Sequence, residues 1–253
     1  MKRNERQHLK DNELAETMAS VSHALESRGS QLLYVVGGIV VVAAVVFGFN
    51  TYRQRSQAKG QELLAEAMVA LNARVVPVSS AGAAGEGPAA AQLGATGTFT
   101  TEAAKLAVAI PKLQAAAEAA PDSPAGLTAR YHWAGALAAV GKNAEAVTTF
   151  EEVARRAGPN SLYGRMARMG KADAQARGGQ VDAAIASWKE LVAQQADDLP
   201  VDALLVELGR AYRAKGDAAE ARKTFQQVVD QHPNSPYAPV ARTELDGLSA
   251  SKS

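Results

Sequence analysis

The chain has 253 residues, with 27 Lys and Arg against 26 Asp and Glu, a formal net charge of +1. No run of like charge breaks that balance, which argues against nucleic acid as a partner, because neutralising phosphates needs a basic patch or stripe. The absence of Cys excludes disulfides, thiolate zinc sites, a cysteine nucleophile and a lipid anchor on an N-terminal Cys.

Residues 1–30 read as a polar tail. Within it Leu14, Met18, Val21 and Leu25 recur at steps of four, three and four. That is one apolar stripe of a short amphipathic helix, opened by Asp11 or Asn12 as its cap. Such a helix lies on a membrane surface, frays in solvent, or docks a partner.

Residues 31–52 read as a transmembrane helix. From Leu32 to Phe49 eighteen residues carry no charge and no amide side chain. At 1.5 Å per residue they make roughly 27 Å of helix, close to the hydrocarbon thickness of a bilayer. Twelve of the eighteen are Leu, Ile, Val or Phe. Their transfer favours insertion by roughly 4 to 7 kcal/mol before the glycines discount it. Tyr34 and Tyr52 stand near the two ends, where amphipathic rings prefer the headgroup level. A buried central helix of a soluble protein would use less Val and have less polar flanks. An uncleaved anchor fits better than a cleaved signal peptide, because thirty residues precede Gln31 and the exit Phe47-Gly48-Phe49-Asn50 lacks a small-x-small pattern. Ala44 with Gly48, and Gly37 with Gly38, are close-approach surfaces through which two copies would pair as a homodimer. Charge leaves the orientation open. Lys2, Arg3, Arg6, Lys10 and Arg28 place the N-terminus in the cytoplasm when the whole short tail is counted. Counted over only about fifteen residues a side, Arg53, Arg55 and Lys59 outweigh Arg28 and reverse it.

Residues 53–120 read as a degenerate first repeat. Its first helix continues to Arg74 through Leu63, Leu64, Ala67, Met68 and Leu71, and its second runs from Thr101 to Ala120. Ala favours helix throughout, since it loses no side-chain entropy there. Between the two helices, residues 75–100 are low in complexity and too poor in apolar surface to offset the entropy of ordering, so a loop is expected.

Residues 121–248 read as three further repeats and a capping helix, with a disordered tail at 249–253. Three segments start at Gly141, Gly179 and Gly216. Each places Ala five residues later (Ala146, Ala184, Ala221), an aromatic four beyond (Phe150, Trp188, Phe225) and an aliphatic three beyond that (Val153, Leu191, Val228). The copies are 38 and 37 residues apart. Pro121-Asp122-Ser123, Pro159-Asn160-Ser161 and Pro233-Asn234-Ser235 mark the junctions in the same phase. Gly permits a left-handed turn after the first helix of a pair. The small Ala lets the two helices cross closely, and the aromatic fills the space between them. Pro ends the second helix, and Asp, Asn or Ser caps the next.

This order resembles the tetratricopeptide pattern, a helix-turn-helix unit whose apolar face needs a stacked neighbour. The last copy is the most similar, with Leu208-Gly209, Tyr212, Gly216, Ala221, Phe225 and Pro233. The first keeps Trp133-Ala134, Leu137, Gly141, Ala146 and Phe150, whereas the middle copy puts Lys171 and Gln175 where Leu and Tyr are expected. The resemblance implies an all-α chain, one transmembrane helix followed by a right-handed solenoid of three to four helical hairpins. The whole layout, with the tail segment Lys10-Asp11-Asn12-Glu13-Leu14-Ala15-Glu16-Thr17, is similar to the bacterial YfgM-like family of ancillary translocon subunits. That similarity implies a single-pass protein of the bacterial inner membrane, its N-terminus cytoplasmic and its repeats periplasmic. It implies partners at the Sec translocon and among periplasmic chaperones and emerging clients. A scaffold for envelope assembly or cell division is the alternative.

No catalytic, cofactor or metal signature appears: there is no P-loop, GxGxxG, HExxH or GxSxG. His8, His23, His132 and His232 have no ligand-spaced neighbours, and Glu151-Glu152 and Asp197-Asp198 read as solvated helix ends. The chain is therefore expected to bind proteins and not to be an enzyme. In the solenoid frame the concave surface, lined by the first helix of each pair, carries Thr128, Tyr131, Gly135, Met166, Met169, Asp173, Arg177, Val206, Arg210 and Arg213. Met surfaces adapt to varied apolar partners, although Tyr131, Met166 and Met169 serve equally well as packing against adjacent helices. The Lys and Asn set with which some members of the tetratricopeptide family clamp a C-terminal carboxylate is absent.

Overall fold

The computed structural model describes residues 5–76, 98–194 and 199–250, with side chains at Tyr34 and from Val36 onward. The amphipathic stripe of the tail, most of the 75–100 loop, the Asp197-Asp198 pair and residues 251–253 lie outside what is described. Contacts divide the chain into Met1–Arg55 and Ser56–Ser253.

Helix α1 runs from Glu5 to Leu71. Val36, Ile39, Val40, Val41, Val42, Val45, Val46, Phe47 and Phe49 are all exposed on it. An apolar surface of that extent marks contact with a membrane or a partner, and α1 is long and apolar enough to cross a bilayer. Across Ser56–Leu71 the same helix becomes the first arm of a hairpin, burying Gly60, Ala67 and Ala70.

The remaining helices are α2 (Glu102–Ala119), α3 (Pro124–Ala139), α4 (Asn143–Ala157), α5 (Leu162–Arg177), α6 (Val181–Ala193), α7 (Val201–Lys215), α8 (Ala218–Gln231) and α9 (Ala238–Ala250). Local chemistry sets their ends. Ser123 and Ser161 hold extended backbone and accept hydrogen bonds from Gly126 N at 3.0 Å and Gly164 N at 2.9 Å, capping α3 and α5. Asp217 does the same for α8. At the other ends, Gly141, Gly179 and Gly216 have φ of 80°, 78° and 85°. The next residues then donate back across the last turn: Lys142 N to Leu137 O, Gln180 N to Gln175 O and Asp217 N to Tyr212 O, all within 2.8–2.9 Å.

Ala67 and Ala70 of α1 share a core cluster with Leu106, Ala109 and Leu113 of α2. From α2 onward each helix packs on its sequence neighbour, while α3 also meets α5, as α7 meets α9. This is a stack of antiparallel hairpins: α3/α4, α5/α6 and α7/α8, followed by α9. The recurring residues make its core. Ala146, Ala184 and Ala221 are fully buried, as are Phe150, Trp188 and Phe225 to within a few per cent. The middle copy's Gln175 is also buried, and its side-chain carbonyl accepts from Ser187 Oγ at 2.9 Å, which is how an amide occupies a site where Tyr was expected.

Two-residue strands β1 (Arg74–Val75) and β2 (Thr98–Phe99) pair in parallel, Val75 opposite Phe99. The expected loop is therefore tied at both feet, and Phe99 belongs to the core.

Candidate partner-binding groove

Along α5 a 3.6-residue period brings Met169, Asp173 and Arg177 onto one face. Helix α7, the equivalent arm of the next hairpin, presents Glu207 and Arg210 at three-residue spacing beside it. Together with Gly170 and with Trp188 from α6 they line an open pocket of about 510 Å³. Met169 and the buried Trp188 are its apolar lining, Trp188 within a core cluster and Met169 packed against it.

The charges there are paired within the protein. Arg177 Nε donates to Asp173 at 2.9 Å, and Arg210 donates to Glu207 at 2.7 Å and to Glu244 at 3.0 Å. Hydrogen bonding to Glu244 raises the pKa of Arg210 above its ordinary value, against some burial. Arg213 also binds Glu244. The Arg177–Asp173 and Arg210–Glu207 pairs are solvent-exposed, and such pairs stabilise a fold by only about 0–1 kcal/mol, whereas the Glu244 carboxylate is mostly buried. Exchanging the exposed pairs for charges of another molecule would therefore cost little, and Met169 offers an adaptable apolar surface beside them.

The structure brings together four of the ten residues expected to face a partner: Met169, Asp173, Arg177 and Arg210. Arg213 stands next to them, turned onto Glu244. Tyr131 and Met166 lie elsewhere on the α3–α5 face. Tyr131 is half-buried, its ring edge-on to Phe150 at 5.7 Å and to Tyr163 at 6.1 Å. Thr128 Oγ1 and Tyr163 Oη share a hydrogen bond of 2.8 Å. Burial, then the neighbouring Tyr163, push the Tyr131 phenol up. Beside it, burial depresses His132 below the usual imidazole value, so the ring stays neutral near pH 7. Gly135 is exposed, and a Cβ there would meet nothing within 4 Å.

Val206 is corrected from groove to core. It is 1% exposed, because α6, α8 and α9 all pack on α7 and leave only a narrow strip, including Glu207 and Arg210, uncovered. Sequence reasoning missed Trp188, Glu207 and Glu244 as contributors to this surface. Glu207 is signalled by its three-residue spacing from Arg210, the usual reach of a helix ion pair. Glu244 has no sequence signal, since it arrives from α9 only through tertiary packing. Among the described residues no group of three or more His, Asp or Glu could hold a metal ion.

The tetratricopeptide repeat family matches residues 131–200 and 169–236. Among solved structures, a putative kinesin light chain from Podosopora anserina with nearly identical tetratricopeptide-like repeats is 24% identical, covering 60% of this chain and 81% of that one at a TM-score of 0.52. A single-substitution variant of that protein aligns at the same identity and TM-score, covering 60% and 80%. No curated protein matches the chain. At this identity the likeness speaks to fold alone, and it agrees with the repeat phase. The chain is thus an all-α protein with a tetratricopeptide-like solenoid, its residues 131–236 matching tetratricopeptide repeats and its first helix able to span a membrane.

Proposed function

We propose that this protein is a membrane-anchored adaptor that holds other proteins in the groove between α5 and α7. The observation that carries the reading is the pocket itself: Met169 and Trp188 ringed by exchangeable charge pairs, on a chain that also has a membrane-length helix. The repeats are those of a protein–protein interaction scaffold. Similarity of the layout to YfgM-like subunits supports a finer assignment, in which the N-terminus is cytoplasmic, the repeats are periplasmic, and the partners are Sec translocon subunits and periplasmic chaperones.

The test is a photo-crosslinker placed at Asp173 in the full chain, in native membranes. Adducts with translocon subunits or chaperones are expected, lost when Arg177 and Arg210 are both changed to Ala. The same crosslinker at the exposed Lys223 on α8 should capture neither. Capture at Lys223 alone, or of no such protein from either position, refutes the assignment. A phosphatase reporter fused to the C-terminus should be active, and an inactive one would place the repeats in the cytoplasm.

A further inference from the structure

A second pocket opens where α3 and α4 meet the C-terminal end of α2. It holds about 290 Å³ and is lined by Arg130, Trp133, Thr148, Thr149 and Glu152. It is separate from the groove between α5 and α7, with which it shares no lining residue.

Its donors and acceptors are out of balance. Arg130 is 7% exposed and makes only two long hydrogen bonds, to Ala117 O at 3.3 Å and Pro121 O at 3.5 Å. No carboxylate pairs with it among the described residues. The Trp133 indole N–H is buried and has no acceptor among the described residues. Thr148 and Thr149 give their hydroxyl protons to Glu145 O at 2.9 and 2.7 Å. The only carboxylate in the lining, Glu152, is engaged by Arg155 at 3.0 Å and Arg156 at 2.5 Å. A buried guanidinium and a buried indole N–H each carry a desolvation cost that an acceptor would relieve.

We infer that this pocket is a binding site for a carboxylate, the side chain of a Glu or Asp presented by a partner polypeptide. A carboxylate matches the planar fork of Arg130 and still has a lone pair for the Trp133 N–H. Arg156, Glu152, Asp122 and Glu118 all lie near enough to act on Arg130 electrostatically, and a surround that already holds three carboxylates penalises a phosphate dianion more than a monoanion. The site stands independently of the groove between α5 and α7.

The chain has two Trp residues, so the full protein in detergent micelles shows two indole N–H signals by nuclear magnetic resonance, with Trp133→Phe identifying one. Titration with the tripeptide acetyl-Ala-Glu-Ala-amide should move the Trp133 signal downfield and saturate. The Gln tripeptide, inorganic phosphate and chloride at matched ionic strength should not. Arg130→Lys should weaken binding about tenfold, the loss expected when a bidentate charged contact becomes a point contact. If that variant does not fold, Tm decides: the Glu tripeptide should raise it for the natural chain and not for Trp133→Phe, and an equal rise in both overturns the proposal. Glutarate binding more tightly than the tripeptide would make the ligand a free dicarboxylate and overturn the polypeptide source. A Trp133 signal that is already downfield without peptide and moves upfield in Glu152→Gln would mean that Glu152 supplies the acceptor, and the site would not exist.

Discussion

Gly170 and Gly209 are each read most directly through the ring they touch. A Cβ on Gly170 would come within 2.5 Å of Phe150 Cζ, and one on Gly209 within 2.6 Å of Phe225 Cε1. Both rings are core, so neither has room to retreat. Gly170→Ala and Gly209→Ala should each cost about 1–3 kcal/mol by overpacking. Gly135→Ala meets nothing and should gain up to about 1 kcal/mol from helix propensity. Urea unfolding of the detergent-solubilised chain separates the two classes, and a loss of stability at Gly135 would contradict the placement of that position on an open face. Gly209 was legible in the sequence from its place in the repeat. Gly170 was not, because its partner Phe150 belongs to the preceding hairpin.

At the scale of elements, the seams between hairpins carry the polar chemistry. Arg156 on α4 bridges one of them, donating to Glu152 on its own helix and to Asp122 before α3, each at 2.5 Å. The Arg156 hydrogen bond, helped by Arg155 and opposed by burial, holds the Glu152 carboxyl below its ordinary value. A depressed carboxylate contributes stability that is complete above the unfolded pKa, about 4.3 for Glu, and lost as pH falls through the folded value. Glu152→Gln should therefore be less stable than the natural chain near pH 7, with the gap narrowing below about pH 4.3. Denaturation at a series of pH values checks this, and a gap that widens in acid would show that Arg156 does not stabilise the ionised form. The helix ends were legible here: Gly141, Gly179 and Gly216 do turn left-handed. The Ser caps were legible too, but their Gly partners were not. A Cβ on Gly126 or Gly164 would lie 2.0 Å from the carbonyl oxygen of Ala120 or Gly158, a constraint that exists only once the preceding loop folds across the helix start.

For the whole molecule, the decisive property is that a membrane-length helix and a repeat solenoid share one chain. Val41 and Val45 are exposed midway along the apolar stretch. Changing both to Asp should abolish membrane integration, since each Asp at a helix centre costs about 2.5–3.5 kcal/mol. Alkaline extraction of membranes would then release the variant while the natural chain stays in the pellet. Retention of the double variant would mean that another part of the chain anchors it.

The period near 37 residues decided, before any coordinates, that Gly would turn, Ala would let helices cross and an aromatic would fill the gap. Each of those roles depends on local geometry or on the nearest helix, and sequence spacing encodes both. What the tertiary structure alone decided is which flank of each helix stays open. Val206 sits at a groove position by periodicity and is buried because three helices pack on α7. Glu244 and Arg130 stand where they do only because α9 packs on α7 and α2 ends beside α3. Contacts between residues far apart in the chain leave no periodic trace, so which surfaces stay bare is decided only in three dimensions.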